Sequence, residues 1–380
     1  MIHLVMPKVI DRRGRGLKTS QKNVTAKIDW LQIIFYQCSI EELLETLLKI
    51  EKDCFLVEKA QIRYKEYDVC YSYGSLKIYT YDLPAFEESE CYLVFSGDAC
   101  SLYERLLHSL ESNWVMFFQQ LVTQFSQRFK VKRLDIALDD RNKQPYFKVE
   151  QLIKLCKKKR YESRKRKFHV TESNVAGTKT SKTLYIGKRT SDVMFRIYDK
   201  DLETAQKEKR AVQEIGSWKR LEVEFKRDVA QAIVELISKN TDSLEELMRS
   251  FVKQELNFYS DDEHTKIPRF WERYLGNVAP LKIARKYEIR GLKDTEQWFV
   301  FGGGLSTLKA FDFLANHGAL GNLQNMLQAI QDAELSRPLT KKVVDHLVDI
   351  GREDLIEEIY LLTKKENLKK DKVIQSQAPL

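Results

Sequence analysis

Apolar and polar residues alternate with a period of two along several stretches of this 380-residue chain. In "KRLDIALDD", Leu134, Ile136 and Leu138 share one face, and Arg133, Asp135, Ala137 and Asp139 share the other. "KRLEVEFK" sets Leu221, Val223 and Phe225 against Arg220, Glu222 and Glu224. "SDVMFRIYDK" sets Phe195, Ile197 and Asp199 against Arg196, Tyr198 and Lys200. Such alternation predicts half-buried strands. "NVTAKIDWLQIIFYQ" (23–37), "DVCYSYGSLKIYTYD", "ECYLVFSGDAC" and "KTLYIGKRTSDVMFRIYDK" (182–200) also read as strands, the last as two strands joined around Lys188 to Asp192. A helical period appears in "SIEELLETLLKIEKD", with Ser39 as its N-cap, and runs long through "SLYERLLHSLESNWVMFFQQLVTQFSQ". It returns in "VEQLIKLCKKKR" (149–160) and "DVAQAIVELISK".

The order strand, helix, several strands, helix occurs twice, over 23–127 and again over 128–240. It predicts an α+β fold in which two similar antiparallel-sheet-plus-helix units form a duplicated core, the helices on one face of each sheet. Residues 1–22 read as a basic flexible leader, and 241–380 as a mainly helical C-terminal region suited to DNA recognition or dimerisation. "VFGGGLSTLKA" (300–310) lacks the Lys-Ser/Thr of a phosphate-binding loop and reads as a hinge or turn. The closing "DKVIQSQAPL" reads as a frayed end.

Hydrophobic residues at 43% and charged residues at 31% describe a folded globular protein and exclude a disordered one. Lys and Arg number 64 against 55 Asp and Glu, and the net charge of +9 favours a polyanionic partner. The six cysteines are scattered without a Cys-x-x-Cys pair, which argues for reduced thiols and against a zinc site. No apolar run approaches the roughly 20 residues of a membrane helix, and "MIHLVMPKVIDRRGRGLK" is too weakly apolar for a signal peptide. The expectation is a cytoplasmic protein with no membrane contact. In the basic run "KKKRYESRKRKFH", Lys157, Lys158, Lys159, Arg160, Arg164 and Arg166 are candidate DNA contacts, with Tyr161 and Phe168 interleaved for base stacking. Lys188 and Arg189, in the turn before the tyrosine strand, join them. A solvated helix end is the plainer reading of such a run.

The polar faces carry the candidate chemistry. A tyrosine between two cations is either a packed strand residue or a nucleophile whose phenol is pushed toward phenolate by Arg196 and Lys200. Asp135, Asp139, Glu222 and Glu224 either form cross-strand ion pairs or, on neighbouring strands, hold a hard divalent cation such as Mg²⁺ or Mn²⁺. Ala137 leaves space between two of these carboxylates.

"RLDIALDD", "YIGKRTSDVMFRIYDK" and "WKRLEVEFKRD", in that order and at these intervals, resemble the replication initiation factor family of rolling-circle plasmids, which also includes relaxases of some conjugative elements. "KIDWLQIIF" and "LVFSGDAC" are similar to its N-terminal patterns, so the resemblance spans roughly 24–230. It implies a metal-dependent DNA nicking-closing enzyme joined to the 5′ phosphate through tyrosine, with Tyr198 as nucleophile. By position it implies Asp135 and Glu222 as metal ligands, with Asp139 and Glu224 as further candidates. It also implies origin DNA, hairpin or single-stranded at the nick, as partner, together with a host helicase and a homodimeric assembly. Beside this reading stand a conjugative relaxase using the same residues, a non-catalytic DNA-binding regulator, and a hydrolytic nuclease in which water attacks.

Overall fold

The computed structural model describes residues 2–5, 23–60, 67–82, 89–165, 167–173, 181–239, 243–285, 292–301, 304–318 and 333–362. The chain divides into two compact units, Met1–Lys286 and Tyr287–Leu380.

The first unit opens with strand β1 (Ile2–Val5) and then the long β2 (Val24–Tyr36). A short helix α1 (Ile40–Leu43) follows, continued by a π-helical turn over Leu44–Leu48. Ser39 caps it, its hydroxyl accepting from the Glu42 N–H at 3.1 Å. Next come β3 (Leu56–Lys59), β4 (Val69–Tyr73), β5 (Leu76–Thr80) and β6 (Glu90–Phe95). The long helical pattern beyond them is two helices, α2 (Gly97–Ser109) and α3 (Trp114–Gln124). Asn113 breaks it, because its side chain accepts from the Met116 N–H and starts a new helix.

The second half of the unit begins with β7 (Phe129–Asp140) and α4 (Val149–Lys157). Helix α4 stops short of the predicted 160 because Lys159 turns left-handed, at φ 60°. Strands β8 (Tyr161–Ser163), β9 (Phe168–Ser173), β10 (Ser181–Ile186) and β11 (Val193–Asp199) follow, then helices α5 (Lys200–Glu208) and α6 (Val212–Ile215). Strand β12 (Lys219–Lys226) leads into α7 (Arg227–Lys239) and α8 (Leu244–Glu255), then β13 (Leu256–Phe258), α9 (Arg269–Leu275) and β14 (Lys282–Arg285). The elements of 243–285 thus belong to the first unit. β1, from the stretch read as a flexible leader, pairs with β14. Of the three glycines read as a hinge or turn, Gly304 opens α11 (Gly304–Asn316) of the second unit, which follows α10 (Leu292–Phe301), and Gly302 and Gly303 lie outside the described residues. That unit also holds a helix over Arg337–Asp349 and a short one over Ile356–Leu361.

Instead of two separate sheets, the first unit has one antiparallel sheet of ten strands, in the order β3-β4-β5-β6-β2-β7-β12-β11-β10-β9. The physical reason is the pairing of its two longest strands, β2 and β7, over their whole length. That pairing removes two edges that separate sheets would have left open. Counted outward from this seam, each half places its first strand innermost, its last strand next, and the others in reverse order.

Inward side chains of every long strand join one continuous core with α2, α3, α4, α7, α8 and α9. Leu134, Ile136 and Leu138 of β7 lie opposite Phe225, Val223 and Leu221 of β12, all fully buried. Each such side chain contributes about 2 kcal/mol. Two bulges keep the faces in order. The register of β2 against β7 slips at Asp29, so Val24 and Ile28 before it and Leu31, Ile33 and Phe35 after it all face the core. Asp29 and Trp30 are consequently both turned to the polar face. A second slip leaves Lys132 as the extra residue on β7, between inward Val131 and Leu134. At the β10–β11 hairpin, Gly187 takes φ +110°, and a Cβ there would stand 3.1 Å from the Val193 carbonyl oxygen, so this turn needs glycine.

Candidate active site on the polar face of the sheet

Three neighbouring strands bring the predicted residues together. Tyr198 on β11 lies opposite Arg220 on β12, and Arg196 opposite Glu222. Glu222 in turn lies opposite Ala137, Glu224 opposite Asp135, and Arg220 opposite Asp139 on β7. Although this face points away from the apolar core, it is not open to water. Asp135, Glu222 and Arg220 are each about 1% exposed, and Tyr198 only 6%. Long side chains roof it: the Arg133 guanidinium lies 4.8 Å from the Trp30 ring, and that of Arg141 lies 3.5 Å from the Trp218 ring.

Glu222 is the hub. Its Oε2 accepts from the Tyr198 hydroxyl at 3.2 Å, and its Oε1 accepts from Arg196 Nη2. The same Nη2 lies 4.0 Å from Asp135 Oδ2, so one guanidinium stands between the two carboxylates. Asp135 is gripped bidentately by Arg133, at 2.8 Å from Nε and 2.5 Å from Nη2. Burial pushes the Asp135 carboxyl up to about 7, against the pull of Arg133 and with the help of Glu222 and Glu224.

The predicted effect of the flanking cations on Tyr198 does not hold. Burial and then Glu222 raise the phenol well above its ordinary value, outweighing the pull of Arg220 and Arg196 in the other direction. Lys200 opens α5, ion-pairs with Glu203 and packs over the Tyr198 ring, its Nζ 5.7 Å from the centroid. The tyrosine therefore rests as a neutral phenol hydrogen-bonded to a carboxylate.

Nor do the four carboxylates converge on one cation. Asp139 receives two bonds from Arg220, at 2.7 and 2.8 Å, and Arg220 also donates to Asp29 at 2.7 Å. Although burial alone would raise the Asp29 carboxyl, Arg220, Lys27 and Lys200 hold it below its usual value. Glu224 is paired with Arg133 at 2.8 Å and Lys226 at 2.5 Å. Among the described residues no group of three or more His, Cys, Asp or Glu side chains forms a metal cage. Asp135, whose oxygens Arg133 also holds, and Glu222 are the two that share one positive charge, that of Arg196. That fits Mg²⁺ or Mn²⁺, which typically take one or two carboxylates and fill their shell with water and phosphate oxygens.

The basic run is sorted by the fold. Lys157, Lys158 and Lys159 are exposed at the end of α4. Arg160 is tied to Asp262, at 2.8 and 3.0 Å, and to the Ser260 carbonyl, while Arg164 pairs with Glu255 at 3.3 Å. Arg166 lies outside the described residues. Tyr161 and Phe168, expected to stack on bases, instead pack edge to face with each other against the core, 5.8 Å between centroids. Lys188 and Arg189 are exposed on the hairpin turn, where Lys226 donates to the Arg189 carbonyl at 2.7 Å.

Sequence reasoning does not single out Asp29, Trp30 or Trp218. Asp29 sits at an ordinary polar position in "KIDWL", where the alternation breaks only afterwards, at Trp30 and Leu31. Trp218 precedes its strand and gives no periodic signal.

The family described as replication initiation factor matches residues 129–323, and the family described as rolling circle replication initiation protein N-terminal domain matches 25–120. The chain is 26% identical over 340 residues to the putative DNA relaxase NicK of Bacillus subtilis strain 168, covering 86% of this chain and 91% of that protein. A solved rolling circle replication initiator protein from Geobacillus stearothermophilus superposes with a TM-score of 0.56 at 25% identity, covering 69% of this chain and 98% of that one. With one family match spanning the polar face from β7 onward and the other covering most of the half of the sheet before it, the chain belongs to the replication initiation factor family.

Proposed function

We propose that this protein initiates rolling-circle replication by nicking and later rejoining one DNA strand at an origin, through a covalent 5′-phosphotyrosine on Tyr198. The observation that carries the reading is the 3.2 Å hydrogen bond from the Tyr198 hydroxyl to Glu222, beside Arg196. A phenol is a poor nucleophile near neutral pH, and here burial makes it poorer, so attack needs a base in contact. Glu222 Oε2 is that base and takes the phenolic proton as Tyr198 Oη bonds to phosphorus. The bond from phosphorus to O3′ breaks, and the departing oxygen takes a proton from solvent to become a 3′ hydroxyl that can prime synthesis. Rejoining is the reverse, with the 3′ oxygen attacking the phosphotyrosine and the phenol reforming.

Arg196 is partly exposed and is the group an incoming phosphate meets first. Its fork exchanges a carboxylate partner for phosphate oxygens. Asp135 and Glu222 would hold a divalent cation, which when bound polarises the scissile phosphate. Lys157, Lys158, Lys159, Lys188 and Arg189 position the DNA backbone without reading sequence. A host helicase and a second copy of the chain are further partners in this reading. No described helix is long and apolar enough to cross a membrane, and DNA as substrate fits a cytoplasmic site of action. The common strand order of the two half-sheets supports their origin as a duplicated unit.

The likeness to a putative DNA relaxase over most of this chain favours a second reading. In it the same residues act at the transfer origin of a conjugative or mobilisable element. The test is incubation with a supercoiled plasmid carrying the gene and its flanks, with Mg²⁺, followed by a denaturing gel for protein-linked DNA. A covalent product that disappears in EDTA is expected. A free 5′ phosphate would mean that water attacks, and full activity in EDTA would remove the metal from the scheme. A product only with transfer-origin DNA would select the relaxase.

A further inference from the structure

On the strength of that nicking reading, we propose that Tyr185 and His169 form a stacking platform for a nucleobase of the strand being cut. Tyr185 on β10 lies opposite Arg196 on one side and opposite His169 of β9 on the other. It therefore continues, strand by strand, the row that begins with Ala137, Glu222 and Arg196. The two rings are parallel within 2°, with centroids 4.5 Å apart. Neither ring has a hydrogen-bond partner among the described residues. Tyr185 is half-buried and His169 exposed. β9 is the last strand of the sheet, so among the described residues no further strand covers the outer face of the His169 ring.

The polar face changes character here. Over β7, β12 and β11 it is ionic, while over β10 and β9 it presents Thr183, Thr171, Tyr185 and His169. A strand of DNA crossing it meets a dense cluster of charges where its phosphate must react, then an aromatic column one strand beyond Arg196, about 5 Å away. Arg196 on the inner side and exposed Lys188 and Arg189 on the adjoining hairpin turn give this end of the face the charge that a phosphodiester backbone matches. A base that continues the stack on His169 fixes the position of the nucleotide chain, and because every base has a π-face it does so without reading sequence.

The test uses the full chain in EDTA, so that binding is measured without cleavage, and a dT oligomer carrying one 2-aminopurine. His169→Ala and Tyr185→Ala should each weaken binding, by about tenfold, as expected for removal of one base stack, and should relieve the 2-aminopurine quenching. The log-log salt slope should stay that of the wild type, because the same phosphates remain neutralised. His169→Phe and Tyr185→Phe should restore both signals, since the ring and not its polar atom is used. Wild-type affinity in both alanine variants would overturn the platform, as would a slope shallower by roughly 0.7 or failure of the phenylalanine variants to rescue. His169 is exposed, so its variants carry the test even if Tyr185→Ala disturbs the strand. The nicking reading fails separately: if Tyr198→Phe still yields protein-linked DNA, Tyr198 is not the nucleophile whatever these affinities are.

Discussion

Asp139 and Arg220 separate a structural ion pair from a metal ligand, and a double-mutant cycle on them can be worked out from the geometry. Arg220 is almost wholly buried and makes three short charge-assisted bonds, two to Asp139 and one to Asp29. Arg220→Met removes the group bonded to both oxygens of Asp139 and leaves that carboxylate buried and uncompensated. Breaking a buried pair from one side costs about 3–5 kcal/mol. Asp139→Leu costs a similar amount, somewhat relieved because Asp29 still accepts from Arg220. In Arg220→Met with Asp139→Leu neither charge is stranded. The double variant should thus lose less than the sum of the single losses, by about 2–3 kcal/mol. Urea denaturation followed by tryptophan fluorescence measures all four proteins, and Trp218 is a local reporter, its ring 5.4 Å from the Arg220 guanidinium. Additive losses would refute the pairing. So would an Asp139→Leu protein of full stability that no longer cleaves DNA, which would return Asp139 to the metal.

Tyr198→Phe should lose about 1 kcal/mol of stability with the bond to Glu222 and all of the covalent product on a denaturing gel, whereas Tyr185→Phe should still cleave. Asp135 titrates near 7 when folded, above its unfolded value, so it binds a proton more tightly in the native state and its ionisation destabilises the fold. In EDTA, stability should fall as pH rises from about 4 to 7, by about 2–3 kcal/mol between pH 5 and 8. Asp135→Asn should remove that component of the urea-midpoint profile, and an unchanged profile would mean the carboxyl is ionised throughout. Neutralising Lys157, Lys158 and Lys159 together should reduce the log-log salt slope of DNA binding by roughly 0.7 to 0.9 for each phosphate no longer neutralised. Adding Arg160→Gln should cost stability through Asp262 more than it changes that slope, as filter binding beside a thermal melt would reveal.

Much of the site is legible in the sequence because strand periodicity is local. The alternation in 133–139, 194–198 and 220–224 assigns each side chain to a face, and the structure keeps those faces. What alternation cannot carry is pairing between distant segments. Nothing in "KKKRYESRKRKFH" says that Arg160 will meet Asp262 or Arg164 meet Glu255, because those partners lie about a hundred residues downstream. Nor does a strand pattern announce its own bulge, so the parity change at Asp29 hides a partner of Arg220. The single sheet escapes the pattern for the same reason, since its central seam joins two first strands about a hundred residues apart. The phenol is misjudged from sequence because flanking charges can be counted there, whereas the desolvation that outweighs them comes from burial in the folded sheet, which no local pattern states.

The bulge at Asp29 also bears on how portable this chemistry is. The tyrosine and both proposed ligands belong to the second half of the sheet, which suggests a self-sufficient module that could be cut out or grafted. Yet the carboxylate that completes the Arg220 pairing is donated across the β2–β7 seam, and Trp30, which roofs Arg133, comes with it. A fragment starting at Phe129 would expose the whole edge of β7 and leave the buried Arg220 guanidinium with Asp139 alone, its bond to Asp29 lost. Recombination between relatives within this seam would have to exchange both halves together, so the proposed nicking centre depends on the whole sheet.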